Sequence, residues 1–307
     1  MIRNRIAVTA AALCAVGLLA LLLMYEEEAS AAASEAMRLA VNRILPPLFP
    51  AMVLSSVIVS LDLFAPLERL IPAKVFRLPD CAGPVILLGL TCGFPVGALT
   101  ACRLYEDGKL GKADAARLTA LASAPSPAFF FGAVGGMWHS RAFGAFLFVV
   151  SASLTMLIGL AMRGIGSDSL KPPPKAQTEP AGKARFSAVL CRSIAGAAIG
   201  CLNVTAYIVF FRIAVVLCSC LLPGWAPGFA AVSEFSSGCA AGAKIGGIAG
   251  AWLTGFSVGF GGLSVFLQLS AATEPDGIPF APSFITAAVR GIGLGCTAAA
   301  YAFFAGL

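Results

Sequence analysis

The sequence predicts an all-α polytopic membrane protein, built as an inverted repeat of two halves. Each half is expected to hold a re-entrant or broken helical hairpin and interrupted transmembrane helices. Three observations predict this. Of the 307 residues, 59% are hydrophobic and only 12% charged, with a mean hydropathy of +0.90, whereas a soluble domain carries about a quarter charged residues. Apolar stretches in both halves are broken in the same manner by glycine, proline and serine. A basic, proline-rich stretch separates the halves.

The breaks say most. Residues 87–98 carry Gly89, Gly93, Pro95 and Gly97, and residues 118–127 carry Ser123, Pro125, Ser126 and Pro127. The second half repeats the theme with Ser236-Ser237-Gly238 and Gly242, then Thr254, Gly255, Ser257, Gly259, Gly261, Gly262 and Ser264. Lipid satisfies no backbone N–H or C=O, so such breaks survive only inside protein or beside a wet cavity. Paired interruptions in two halves of a chain point to the central binding site of a transporter.

Taken in order, Arg3 and Arg5 precede an apolar run over 6–24. Its length suits a spanning helix of about 20 residues better than a signal-peptide core of about 7–15, although Ala31-Ala32-Ala33 downstream keeps cleavage open. Glu26-Glu27-Glu28 and the stretch through Arg38 and Arg43 read as a surface helix or a solvated connector, closing an N-terminal unit at 1–43. The first membrane repeat occupies 44–162. Pro46, Pro47 and Pro50 open a span to about Phe64, and Arg69, Lys74 and Arg77 mark a cytoplasmic loop. A broken or re-entrant element follows at 81–102, a mixed-charge loop at 103–117, an interrupted span at 118–138 and a plain span at 142–162.

The linker 163–188, with Lys171, Pro172-Pro173-Pro174, Lys175, Pro180 and Lys183, reads as flexible and cytoplasmic. The second repeat, 189–307, holds an apolar run at 189–222, a broken element at 233–250, and spans near 251–271 and 282–304. If each hairpin returns to its own side, each half crosses three times, which inverts the second half relative to the first. Glu274, Asp276 and Arg290 give only a weak charge signal for the C-terminal topology.

Several classes drop out. The net charge of +6 is scattered and orients loops, so no nucleic-acid partner is expected. Ten cysteines without a CxxC pattern, and the single His139, favour packing thiols over a metal or redox site. HExxH and Walker motifs are absent, so the chain does not read as an enzyme. No cofactor is called for beyond a coupling ion, H+ or Na+.

Glu234 is the foremost candidate, because a carboxylate at membrane depth is costly and usually functional; the competing role is a helix cap. Lys244 would either pair with Glu234 and an anionic ligand or snorkel to the headgroups. Broken helices add N–H groups and a positive dipole end that favour anions. Gly93, Pro95 and Gly97 sit at the first break, with Ser123 and Ser126 after it. Ser236, Ser237, Thr254, Ser257 and Ser264 supply hydroxyls in the second half, where the alternative for each is interhelical packing. His139 beside Trp138 and Arg141 reads as an interfacial anchor, while Asn203, Arg212 and Gln268 read as buried polar side chains away from the substrate.

The motifs themselves resemble a known family. Gly93-Phe94-Pro95-Val96-Gly97-Ala98 with 104–110, and Ser126-Pro127 with 128–135, are similar to the nucleoside-recognition (Gate) domain of the sporulation integral membrane protein family. So are Glu234-Phe235 with Gly242-Ala243-Lys244, and Thr254-Gly255-Phe256-Ser257 with 261–265. The resemblance covers about 40–305. It implies a transporter of spore-forming bacteria, in the branch that moves dipicolinate across the outer forespore membrane, with a fold like that of concentrative nucleoside transporters. Such folds assemble as trimers, so a homo-oligomer is open to this chain. A secondary transporter of a small organic anion, working by alternating access, is therefore expected. A carrier of nucleosides or other polar solutes, and a non-transporting scaffold or gate in spore formation, are the alternatives.

Overall fold

The computed structural model describes residues 2–61, 63, 73–164 and 186–307. Among these, every regular element is a helix. Arg69 and most of the linker, including Lys171 to Lys183, lie outside the described residues. Among the described residues, five helices are long and apolar enough to cross a membrane: Glu26–Ile58, Arg141–Ala161, Phe186–Leu221, Gly247–Thr273 and Ala281–Ala305. The chain is an integral membrane protein.

The N-terminal run forms the helix Ile2–Met24. The segment after it departs from the expected surface helix or connector. Glu26–Leu39 continues through a π-helical turn at Ala40–Ile44 into Leu45–Ser60, so the acidic start and the prolines share one nearly continuous rod. Pro46 and Pro47 have no N–H to offer the preceding turn, and a π turn widens the hydrogen-bond ring just where those bonds are missing. The helix therefore continues through the prolines.

This rod runs antiparallel to Phe186–Leu221. Glu35 pairs with Arg212 near one end, while the Ser56 and Ser193 hydroxyls meet at 3.1 Å near the other. Ala29, Ala32, Ala36 and Ala40 are buried at helical spacing, a small-residue face that lets backbones approach closely. At 36 residues, Phe186–Leu221 is about 54 Å long, well beyond the ~30 Å hydrocarbon core. It therefore tilts or projects into the headgroup layer.

The two halves then follow the same order of elements. In the first, the hairpin Ala82–Cys92 and Val96–Glu106 turns at Gly93-Phe94-Pro95. The helix Lys112–Ala122 breaks at 123–126 and resumes through Phe129–Val134 and Gly135–Met137, before the plain helix Arg141–Ala161. In the second, Ala226–Ser233 and Phe235–Ile245 meet at Glu234. Gly247–Phe260 breaks at Gly261 and resumes as Gly262–Thr273, ahead of Ala281–Ala305.

The mixed-charge loop at 103–117 is largely helical, and Arg117 within it is 2% exposed. Its guanidinium donates to the Phe76 carbonyl at 2.6 Å and to Asp114 at 3.2 Å, tying the short turn Ala73–Phe76 to the hairpin core. Arg290 falls on the span expected near 282–304. It lies 2% exposed within the last helix and donates to the Gly259 carbonyl at 2.9 Å, where Gly247–Phe260 runs out of its own N–H partners. A cation at a helix C-terminus also answers the negative dipole end.

Candidate functional site

The site is assembled from four chain breaks, two in each half. The first tip owes its shape to Gly93 (φ +77°), a left-handed conformation that favours glycine. A Cβ there would lie 2.6 Å from the Ser126 nitrogen, so the tip rests on the break that follows it. The Phe94 N–H confirms the docking by donating to the Ala124 carbonyl at 2.9 Å. Pro95 begins the second arm of the hairpin. Gly97 lets that arm close, since a Cβ there would sit 2.5 Å from the Ala122 carbonyl oxygen and 2.7 Å from the Gly89 Cα.

The second tip is built on a carboxylate. Glu234 adopts extended backbone (φ −149°, ψ 117°) between two helices and is completely buried. Oε1 accepts from the Ser236 N–H at 2.9 Å. Oε2 accepts from the Ser237 N–H at 2.7 Å and from the Ser236 and Ser237 hydroxyls at 2.6 and 2.7 Å. Glu234 is thus the N-cap of Phe235–Ile245, and its own charge occupies that positive helix end. The break at Gly261-Gly262 rests against this tip, with a Cβ on Gly262 falling 3.0 Å from the Ser233 carbonyl and 3.1 Å from the Glu234 nitrogen.

The tips touch each other. The rings of Phe94 and Phe235 meet edge to face with centroids 5.1 Å apart, and Phe129 reaches Phe235 at 4.7 Å. Such aromatic pairs contribute about 0.5–1.5 kcal/mol beyond the area they bury.

Two cavities adjoin this junction and share Leu39, Arg43 and Ile208. The first, about 130 Å³, is lined by the tips and breaks themselves, including Phe94, Pro95, Ser126, Phe235, Ser264 and Gln268. The second, about 300 Å³, is strongly charged, with Glu35, Arg38, Arg43, Arg212, Glu234 and Ser236 on its walls. On the wall of the second, Arg212 makes two contacts: Nη1 donates to the Ser237 hydroxyl at 3.0 Å, and Nη2 pairs with Glu35 at 2.9 Å. A chain of contacts therefore runs from Glu35 through Arg212 and Ser237 to Glu234.

The sequence candidates divide. Gly93, Pro95, Ser126, Glu234, Ser236, Ser237 and Ser264 come together at the junction. Ser123 lies at its edge, donating to the Thr119 carbonyl at 2.7 Å and lining a minor void of about 10 Å³. Gly97 acts one turn deeper. Thr254 and Ser257 are fully buried in the packing of Gly247–Phe260. Thr254 accepts from the Trp138 indole at 3.1 Å, and Ser257 donates to the Leu253 carbonyl at 2.6 Å. The Trp138 indole is accordingly turned inward. Lys244 stands apart, exposed in the last turn of Phe235–Ile245, about 15 Å of helix from Glu234.

Sequence reasoning missed Glu35, Arg38 and Arg43 and set Arg212 and Gln268 aside. A signal was present. Glu35, Arg38, Leu39 and Asn42 recur at i, i+3, i+4 and i+7, the stripe of one helix face, and all four line the charged cavity.

An all-helical membrane protein whose interrupted helices meet around a buried carboxylate and a charged cavity is the class that this fold and site define. The chain is 28% identical over 131 residues to the sporulation integral membrane protein YlbJ of Bacillus subtilis (strain 168). That stretch covers 40% of this chain and 31% of the relative, so the match spans about a third of the relative's length. No family model and no solved structure matches the chain.

Proposed function

We propose that this protein is a secondary transporter of a small organic anion that acts in sporulation, with dipicolinate the first substrate to try. The observation that carries this reading is the convergence of four helix breaks, Glu234 and a cavity bearing three guanidiniums at one point inside a membrane protein. Discontinuous helices that meet at a charged centre are the usual construction of a transporter site. The similarity to a sporulation membrane protein supports the setting, and the Gate-like motifs support the substrate and the outer forespore membrane. The repeated element order supports two related halves, and in this proposal the second is inverted and the two rock against each other.

Alternating access then gives each part a role. The aromatic contact of Phe94 with Phe235 closes the site between the tips, and Glu234 holds the second tip in shape. Protonation of Glu234, or Na+ beside it, would supply the coupling. A neutral planar solute such as a nucleoside is the second reading, favoured by Phe94, Phe129 and Phe235 around the smaller cavity.

The test is flux. Protein reconstituted in terbium-loaded liposomes is expected to give the luminescence of the terbium complex when dipicolinate is added outside. Folded, inserted protein that gives no signal with dipicolinate but carries uridine would move the assignment to the second reading.

A further inference from the structure

The charged cavity carries one more step, which rests on the anion-transport reading. Three guanidiniums, from Arg38, Arg43 and Arg212, face two carboxylates there, leaving an excess of positive charge. Both carboxylates are engaged. Glu234 is held by Ser236 and Ser237, and Glu35 by Nη2 of Arg212. Arg38 and Arg43 form no ion pair with any described residue. Arg43 also lines the smaller cavity.

We propose that this cavity is a carboxylate-binding site in which Arg43 anchors the anion, Arg212 joins it, and Glu35 is a resident competitor for Arg212. A guanidinium fork matches a carboxylate in two parallel hydrogen bonds. The Glu35–Arg212 pair is a weak hold, since the Glu35 side chain is 69% exposed and ion pairs open to solvent contribute little. An incoming carboxylate displaces Glu35 from Nη2 while Nη1 keeps its bond to Ser237. Because that hydroxyl donates to Glu234, occupancy of the cavity is felt at the second tip. Arg212 thus reports the ligand to the hairpin, and Glu35 sets how tightly the anion must bind to be noticed.

The experiment is calorimetric titration of pyridine-2,6-dicarboxylate into the full chain in nanodiscs, with pyridine as the uncharged control. Glu35→Gln is expected to bind two- to about fivefold tighter, the factor that a released surface pair can return. Arg43→Ala should bind at least about tenfold weaker, with Arg43→Lys recovering part of the loss. Elution as a single species in size exclusion, and a circular dichroism spectrum like that of the wild type, establish that each variant is folded. Wild-type binding that none of these substitutions alters places the anion elsewhere and overturns this site alone. Absence of binding by the wild type overturns the anion reading and this site together.

Discussion

Glu234 concentrates the chemistry of the tip in one side chain. Four donors meet its two oxygens, which is what makes a fully buried carboxylate tolerable. An amide in its place keeps one acceptor oxygen and turns an NH2 group toward donors. Glu234→Gln should therefore lower stability by about 1–3 kcal/mol, measured by thermal unfolding in detergent, and reduce dipicolinate flux by more than tenfold. Flux unchanged at equal reconstitution would reduce Glu234 to a helix cap. Lys244 makes the opposite case: exposed at the far end of the helix, it should tolerate Lys244→Ala with flux within about twofold, as a snorkelling lysine would.

At the scale of elements, the first hairpin depends on backbone approach. Val at Gly97 would drive its branches into the Ala122 carbonyl and the Gly89 Cα, forcing the arms apart at a cost of about 1–3 kcal/mol. Gly97→Val is expected to fold poorly or to place Phe94 away from Phe235, which a loss of flux with retained insertion would show.

The base of the same hairpin gives a pH effect. Burial, and secondarily the charge of Asp276, push the Glu106 carboxyl above its ordinary value. A carboxyl whose folded value is raised binds its proton more tightly in the folded state, so stability falls as pH rises through the window between 4.5 and that raised value. The wild type should thus melt at a higher temperature just below that window than above it. Glu106→Gln should remove this part of the pH dependence, as melting curves across the window would record.

The whole molecule turns on whether the two tips separate. If alternating access opens the junction, a short reducible cross-linker between cysteines placed at Phe94 and Phe235 should stop flux, and reduction should restore it. The experiment needs the ten native cysteines replaced. Transport that persists with the link fully formed would mean the tips do not part, and the path would have to run elsewhere.

Much of this architecture was legible because the bilayer is a strict solvent. A composition with 12% charge leaves only the membrane as a home, and clusters of glycine, proline and serine inside apolar runs mark where a break can form once protein surrounds it. The breaks at Gly93-Phe94-Pro95, at 123–126 and at Gly261-Gly262 were thus determined locally by the sequence, as was the helix start that Glu234 caps. Only the tertiary structure decided which breaks meet. Helical spacing shows that Glu35, Arg38 and Asn42 share a face, but not that this face turns toward Arg212, 177 positions along the chain. Nor does it show that Thr254 and Ser257 are consumed in packing while Ser236 and Ser237 hold Glu234. Short-range sterics and solvation act on neighbours in sequence. The partners of a charge are settled by the packing of distant helices, and that is where the candidate site of this protein is made.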